Sequence, residues 1–436
     1  MKRLVFLCAV MCTMFVFTSC NNGEPTTPNG DDITPIEPFT VMVPQAAWPL
    51  TDTQLSQASK MNDFAFQLLR QSQKSGESLV LSPLSVDYAL AMVALGAEGV
   101  TRDAIVKALG YDAKDPQALH NLMASLMAYL PSVDENVKIN LANAFYLNAS
   151  RKELSLNPDY KKVLQENYKA ACEAVKTDTQ EGIDQINGWC SKQTDEFIPK
   201  VFDYPLSVDN VCLFINAIYF KGDWYAPFNS ANTRERDFKQ EDGTNVKVQS
   251  MFNETPLSYA ESELFQAVRL PYGKTDENGV AMGNSSSFGM TILLPCEGKT
   301  TTDILSWLTS ERFADLSKEM KTSDVVISLP RFETNVKTDL MSAFEQLKLP
   351  FNGNDLRGMV LSNGEPRGLS VSDAFQCARI KVDEKGTEAG AVTVVDFTDS
   401  SMPINRKAFI ADHPFVYLLT EEKTGTILFV GTYHGK

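Results

Sequence analysis

Histidine, the side chain most often used as a general base near neutral pH, occurs only three times in the 436 residues. His120 lies in a stretch with helical spacing, His413 directly precedes Pro414, and His434 is close to the C-terminus. None belongs to an H-E-x-x-H zinc motif, and the chain has no G-x-S-x-G nucleophile elbow. We therefore predict that the chain is not an enzyme. A Ser-His-Asp hydrolase of the cell envelope stays open as an alternative, because triad members can be far apart in sequence.

Residue types that bind cofactors and metals form no motif either. The sequence has no G-x-x-x-x-G-K-[ST] loop and no strand-linked G-x-G-x-x-G, so nothing indicates a nucleotide. Five of the eight cysteines lie in the body of the chain, an odd number without C-x-x-C spacing: Cys172, Cys190, Cys212, Cys296 and Cys377. Such a pattern is typical of scattered buried thiols. We expect no cofactor, no zinc site and no disulfide framework.

The composition excludes other classes of function. The formal net charge is −15, without a cluster of lysines and arginines, and a surface of this sign repels the phosphates of nucleic acids. Hydrophobic residues make up 43% of the chain and charged residues 22%, the balance of a globular protein. Length alone would allow two or three domains, because single cores rarely grow beyond about 250–300 residues.

The most unusual stretch is residues 381–395. It begins like a strand, is interrupted at the charged turn 383–386, and resumes as small and β-branched residues with almost no charge. Residues 396–403 are then polar. A strand-prone run that leads into an exposed loop is an aggregation hazard unless it has a place in a sheet. From composition alone, an ordinary strand and loop is an equally good interpretation.

Helices and strands are mixed without strict alternation, which predicts an α+β fold with large mixed sheets. The spacing of apolar residues predicts helices around 64–69 and over 86–95, 102–109, 116–130, 158–171 and 183–197. Runs of β-branched and aromatic residues predict strands over 139–147, 211–220, 289–294, 325–329 and 427–430.

Several motifs together resemble the serpin family of protease inhibitors. They follow the family's order from about residue 50 to the end: Leu81-Ser82-Pro83-Leu84-Ser85, Asn216-Ala217-Ile218-Tyr219-Phe220-Lys221-Gly222, Glu384-Lys385-Gly386-Thr387-Glu388-Ala389, His413-Pro414-Phe415 and Leu428-Phe429-Val430-Gly431. The resemblance implies one domain, residues 50–436, with three β-sheets, about nine helices and an exposed reactive-centre loop. It also implies inhibition as a suicide substrate, in which the cleaved loop inserts into the largest sheet and traps the protease as an acyl-enzyme.

The resemblance assigns the loop's hinge to Glu384, Gly386, Thr387, Glu388, Ala389, Gly390 and Ala391. Gly386 would be a flexible pivot, and the small residues after it could slide between two strands. In the family the scissile bond lies about seventeen residues from the hinge glutamate, which points to Ser400-Ser401. From Thr387 to Ser400 the inserted strand would span about 46 Å.

A small residue before the scissile bond predicts elastase-like or subtilisin-like serine proteases as targets. Cleavage after Phe397 is the alternative and would suit chymotrypsin-like enzymes. Cysteine proteases are a further target class, because they also form acyl-enzymes. We expect a monomer that meets these proteases as partners.

The family also has a polar cluster beneath the sheet that opens. The matching residues are Ser82, Ser85, Asn216 and, where the family often has histidine, Gln376. An amide can still bond to a hydroxyl or an asparagine, so we expect an intact cluster with altered energetics of opening.

The N-terminus has the pattern of a secretory signal over residues 1–19, with Lys2 and Arg3 before an apolar run. The sequence Thr18-Ser19-Cys20 resembles the lipobox of bacterial lipoproteins, in which Cys20 would carry the lipid. Residues 20–49 are rich in proline and polar residues and are expected to be a flexible tether. These features predict a secreted, membrane-anchored lipoprotein at the outer membrane or cell surface.

A non-inhibitory serpin-fold binding protein is the alternative within the family. Non-inhibitory relatives tend to have prolines or charged residues in the hinge, where this chain has Thr387, Ala389 and Ala391. The hinge therefore favours inhibition.

Overall fold

The computed structural model describes residues 9–19, 40–275, 281–282, 285–351, 353–386 and 406–436. Ten α-helical segments occur in these ranges: α1 (Asp52–Lys60), α2 (Asn62–Ser72), α3 (Pro83–Leu95), α4 (Gly99–Ala108), α5 (Pro116–Tyr129), α6 (Pro158–Asn167), α7 (Gln180–Gln193), α8 (Thr301–Trp307), α9 (Ser310–Glu319) and α10 (Met341–Gln346). Only Met61 separates α1 from α2, so these two segments count as one bent helix and the total becomes nine.

The strands are β1 (Ala9–Ser19), β2 (Leu79–Leu81), β3 (Val137–Asn148), β4 (Leu154–Leu156), β5 (Ala171–Val175), β6 (Asn210–Trp224), β7 (Arg234–Lys239), β8 (Asn245–Glu261), β9 (Phe265–Thr275), β10 (Ala281–Met282), β11 (Phe288–Pro295), β12 (Lys321–Pro330), β13 (Phe332–Asp339), β14 (Val360–Ser362), β15 (Glu365–Arg367), β16 (Leu369–Val382), β17 (Lys407–Ile410), β18 (Phe415–Glu421) and β19 (Ile427–Tyr433). The expected α+β class and its three sheets are confirmed.

The first sheet has the strand order β13-β16-β1-β6-β3-β5. Every neighbouring pair is antiparallel except β3 with β5. The second sheet runs β9-β11-β18-β19-β2, and β9 also pairs with β8, which continues to β7, β12 and β17. The third is the small set β15-β14-β4. The first sheet contains the candidate functional site.

Both faces of the first sheet are covered. On one face, α7 packs against alternate residues of the strands, and Met14, Phe375 and Ile186 are among the buried contacts. On the other face lies the main core, which includes the whole of α3. A helix that is buried all round has no solvent-facing side, so α3 is mostly apolar, with Ser85 and Asp87 as buried polar residues.

Two predicted helices end earlier than expected. The helix expected over 158–171 ends at Asn167, because Lys169 has a positive φ and β5 begins at Ala171. The helix expected over 183–197 ends at Gln193, before Asp195 and Glu196, which also have positive φ. Left-handed backbone does not continue an α-helix.

The apolar run near the N-terminus forms β1, the third strand of the first sheet. It lies within the predicted signal sequence, whose removal stays a prediction. Residues 20–49 were predicted to be a flexible tether, but residues 40–49 of this range lie along α5. The amide of Gln45 donates to Asn121 Oδ1 at 2.7 Å, and that of Ala47 donates to Ser125 Oγ at 2.9 Å. Side chains of α5 thus satisfy backbone groups of a segment that has no secondary structure of its own.

Candidate functional site

The candidate site is the slot between β6 and β16, together with the turn that follows β16. β6 and β16 are not paired with each other, because β1 lies between them and is antiparallel to both. Without β1, each of the two strands would present unpaired backbone N–H and C=O groups to the slot. Such a gap accepts an extended chain by strand addition.

A row of polar side chains crosses the first sheet at the middle of this slot. The strand register aligns Asn143 of β3, Asn216 of β6, Thr13 of β1 and Gln376 of β16 as successive neighbours. All four residues are buried. Because buried polar groups need partners, the row has to be hydrogen-bonded to be stable.

The start of α3 supplies part of that bonding. The Ser82 amide donates to Gln376 Oε1 at 3.0 Å, and Gln376 Nε2 donates to the Ser82 carbonyl oxygen at 3.0 Å. The Ser85 hydroxyl donates to Asn216 Oδ1. Ser82 also caps α3 by accepting from the Ser85 amide at 3.3 Å. The structure thus brings together all four residues predicted for the polar cluster.

Two members of the cluster were missed by the sequence reasoning. Asn216 Nδ2 donates to Asn143 Oδ1 at 2.7 Å, and Gln376 Nε2 donates to Thr13 Oγ1 at 2.6 Å. Asn143 was detectable as an amide inside a predicted strand, since a buried amide must find a partner. Thr13 was not, because its segment was interpreted as a signal sequence.

The hinge begins at a tight turn after β16 whose carboxylate is anchored. Glu384 is buried and accepts from Arg331 Nε at 2.7 Å to each of its two oxygens. The Thr233 hydroxyl donates to the same carboxylate. Burial acts to raise the pKa of Glu384, but the hydrogen bonds from Arg331 and Thr233 outweigh it, so the pKa lies below the ordinary value. The hinge carboxylate is therefore ionised at neutral pH.

Gly386 closes this turn and lies against β6. It exchanges two backbone hydrogen bonds with Asp383, at 3.1 and 3.3 Å, and forms an antiparallel bridge with Asp223 of β6. Its φ is +144°, and a Cβ there would come within 2.4 Å of the Gly222 carbonyl oxygen. The residue must therefore be glycine for close approach as well as for its backbone conformation.

Backbone bonds hold the rest of the turn. The Trp224 amide donates to the Lys385 carbonyl oxygen at 2.6 Å, and the Phe228 amide donates to that of Glu384 at 2.7 Å. The indole Nε1 of Trp224 donates to the Asp383 carbonyl oxygen at 2.9 Å. The end of β6 and the residues that follow it thus fix the start of the hinge.

The other predicted site residues lie outside the described residues. They are the hinge residues Thr387, Glu388, Ala389, Gly390 and Ala391, the predicted cleavage positions Phe397, Ser400 and Ser401, and the lipidation residue Cys20. Their roles stay predictions.

The histidines form no hydrolytic arrangement within the described ranges. His120 is buried, with Nδ1 2.6 Å from the Tyr168 hydroxyl, and burial lowers its pKa to about 3. His413 Nε2 lies 2.9 Å from the Pro295 carbonyl oxygen, and burial lowers the pKa of His434. In the same part of the chain, no group of three or more potential ligands could hold a metal ion. Nor does any helix described there have the length and apolar character to cross a membrane.

Comparison with known families gives one match over most of the chain. A family model described as serpin (serine protease inhibitor) matches residues 59–435. Among curated proteins, Serpin-Z7 of Hordeum vulgare is 32% identical over 373 residues, which cover 82% of this chain and 90% of that protein.

Solved structures agree with this match. The native state of tengpin, a thermophilic serpin, superposes with a TM-score of 0.77 at 26% identity and covers 91% of this chain and 97% of that one. Human thyroxine-binding globulin in complex with its ligand superposes with a TM-score of 0.73. At 23% identity, covering 87% of this chain and 98% of that one, this second likeness concerns the fold alone.

Proposed function

Because the chain belongs to the serpin family, we propose that it inhibits proteases by serving as a suicide substrate. The target protease attacks the loop that follows Gly386 and forms an ester or thioester with the residue before the cleaved bond, while the new amino terminus leaves. The cleaved loop then enters the first sheet as a strand between β6 and β16. Insertion drags the attached protease away and distorts it before water can release it.

The observation that carries this proposal is the pairing of Gly386. Its bridges to Asp383, directly after β16, and to Asp223 of β6 lie at the mouth of the slot. A chain leaving Gly386 toward the slot continues an antiparallel turn that is already hydrogen-bonded. The hinge composition supports entry, since Thr387, Ala389 and Gly390 are small.

The proposed targets follow from the residue at the cleaved bond. Cleavage at Ser400-Ser401 presents a small side chain, which suits elastase-like and subtilisin-like serine proteases. Cleavage after Phe397 would suit chymotrypsin-like proteases, and cysteine proteases are a further class.

We also propose where the inhibitor acts. A lipid on Cys20 would attach a monomeric inhibitor to the outer membrane or cell surface, and the chain between Cys20 and residue 40 would be its tether. Mass analysis of the protein recovered from bacterial envelopes tests this. A diacylglyceryl group on Cys20 supports the proposal. A mature protein whose N-terminal residue carries no lipid contradicts it.

The inhibition experiment mixes the exported, signal-free protein with pancreatic elastase, subtilisin and chymotrypsin and analyses the products on denaturing gels. A band at the summed mass of inhibitor and protease is expected. The matched control is the same protease with its active-site serine blocked by a sulfonyl fluoride, which must give no such band.

The second candidate function is that of a non-inhibitory serpin-fold binding protein. The filled slot favours it, because a sheet that already holds β1 has no place for the loop. Clean cleavage by every active serine and cysteine protease in a wider panel, without adduct and without loss of protease activity, would show that the chain is a substrate and would favour this second function.

A further inference from the structure

The strand β1 occupies the slot in a single register with both of its neighbours. Thr13 is opposite Gln376 of β16 and opposite Asn216 of β6. The register is continuous except for a shift by one residue near Phe17 on each side. The pairing with β16 and the pairing with β6 therefore give each residue of an inserted strand the same position.

The hinge turn has the same register. Gly386 is paired with Asp383 and with Asp223. If the chain continued from Gly386 into the slot with this pairing, Thr393 would be opposite both Gln376 and Asn216. These are the neighbours of Thr13 in the structure. Each loop residue would therefore take the place of the β1 residue whose number is lower by 380.

The two sequences match in that alignment. Four of the eleven positions are identical: Ala9 with Ala389, Thr13 with Thr393, Phe17 with Phe397, and Thr18 with Thr398. On the side toward α7, Cys12 and Met14 align with the apolar Val392 and Val394, whereas Val16 aligns with Asp396. The N-terminal segment thus shares with the loop the threonine at the polar row and the apolar residues beside it.

The contacts of β1 explain why these residue types fit the slot. Thr13, Phe15 and Phe17 are fully buried, and Thr13 Oγ1 accepts a hydrogen bond from Gln376 at 2.6 Å. The ring of Phe17 packs edge-on against Phe214 with centroids 5.3 Å apart. A threonine at the polar row and an aromatic ring four residues later are shared by β1 and the loop.

From these observations we infer that residues 9–19 are an autoinhibitory strand, which holds the reactive loop out of the sheet as long as the leader stays attached. Only residues 387 and 388 separate Gly386 from the position that Ala9 occupies, so the loop cannot advance past residue 388 while β1 is in place. Removal of the leader would open the slot and activate the inhibitor. This inference rests on the proposed function, and it adds a step that precedes inhibition.

Cysteine chemistry offers a direct probe of slot occupancy. Cys12 of β1 and Cys190 of α7 belong to the same hydrophobic cluster, and both are fully buried. A buried thiol is shielded from alkylation, whereas iodoacetamide attacks an exposed thiolate: the sulfur forms a bond to the CH2 group and iodide leaves. Protection of Cys12 from the reagent therefore requires that β1 lies under α7, and it does not involve the loop.

The experiment uses the full chain from cell-free synthesis, with the leader verified by intact mass. After brief alkylation of the folded protein with iodoacetamide, the tryptic peptide of residues 4–60 is fragmented and the label on Cys12 is quantified. Cys12 is expected to stay unlabelled in the natural chain. Thr13→Asp places a charge in the buried row and should expel β1, whereas Thr13→Ser keeps the hydroxyl. Protection of Cys12 is expected in Thr13→Ser and not in Thr13→Asp.

Activity gives the second readout. With elastase or subtilisin, Thr13→Asp should form the covalent adduct at least about tenfold faster than the natural full chain, and Thr13→Ser should behave like the natural chain. After the loop is cut by a protease, Thr13→Asp should gain thermal stability on loop insertion, whereas the natural full chain should not. This gain reports insertion even where no adduct forms.

The two readouts distinguish a failure of the autoinhibitory strand from a failure of the proposed inhibition. Equal adduct rates in the natural chain and Thr13→Asp, equal gains in thermal stability after cleavage, or rapid labelling of Cys12 in the natural chain would overturn the autoinhibitory strand. Protection of Cys12 in the natural chain, with a stability gain only in Thr13→Asp and no adduct in either, would support the strand and contradict the proposed inhibition.

Discussion

Arg331 Nε lies 2.7 Å from each of the two carboxylate oxygens of Glu384 and joins the end of β12 to the first turn of the hinge. Glu384 is buried, so an uncompensated charge at this place would be costly. The hinge therefore starts from a fixed point, and the freedom that insertion needs must lie after Gly386.

Arg331→Ala should destabilise the folded chain by about 1–3 kcal/mol, because it leaves the Glu384 carboxylate buried with Thr233 as its remaining side-chain partner. Arg331→Lys should lose less, since it keeps the charge. Urea unfolding followed by intrinsic fluorescence measures both. Arg379→Ala is the matched control, because that arginine is paired with Glu333, which is more exposed than Glu384. An equal loss in the two alanine variants would contradict the anchoring role.

Gly386→Ala should cost about 1–3 kcal/mol more than Gly76→Ala. Both glycines have a positive φ, but a Cβ at Gly386 would overlap the backbone of β6, while a Cβ at Gly76 would meet open space. Differential scanning calorimetry compares the two variants with the natural chain. If both variants lost the same stability, the close contact between the hinge and β6 would be absent in solution.

Asn216→Ala should destabilise the native state by about 2–4 kcal/mol, because it removes the partners of the buried Ser85 hydroxyl and of Asn143. In the signal-free protein, a weaker polar row should also open more readily, so heating should produce more spontaneous loop insertion or polymers, as seen on native gels. Asn140→Ala, at a half-buried position of β3, is the control and should change little. Unchanged heat-induced polymerisation in Asn216→Ala would exclude this role.

The buried His120 makes stability depend on pH. Burial lowers its pKa to about 3, whereas an unfolded histidine titrates near 6.5. Between these values the unfolded state binds more protons than the folded state, so stability is complete above pH 6.5 and falls as the pH decreases, by about 1.4 kcal/mol per unit for this one proton.

His120→Gln should flatten that slope between pH 5.5 and 4 by close to one proton, about 1.4 kcal/mol per pH unit, as measured by urea unfolding at each pH. His434, whose pKa burial also lowers, remains in both proteins and cancels in the comparison. Identical slopes would show that His120 is accessible to protons in the folded chain.

The helices and strands with strong local patterns could be predicted from the sequence. α3 was expected over 86–95 and begins at Pro83, because Ser82 caps it. The predicted strand 211–220 forms most of β6, which begins at Asn210 and continues to Trp224. Their flanks are set by pairing with distant strands, which local periodicity does not report.

The site was only partly predictable. The motif resemblance led to Ser82, Ser85 and Asn216, and the structure joins them in one hydrogen-bonded cluster. Arg331 carried no signal, because 53 residues separate it from Glu384 and their contact depends on the path of the whole sheet. The apolar residues of β1 fit a signal sequence and a buried strand equally well. The strand could not be predicted, because it depends on the gap between β6 and β16, which local sequence does not show.

The most direct test of the proposed inhibition is the intact mass of the covalent product formed by the signal-free protein with elastase or subtilisin. The proposal predicts a species that contains the protease and the chain up to Ser400, together with a free peptide of residues 401–436. Two free fragments of the chain beside an unmodified, fully active protease would contradict it.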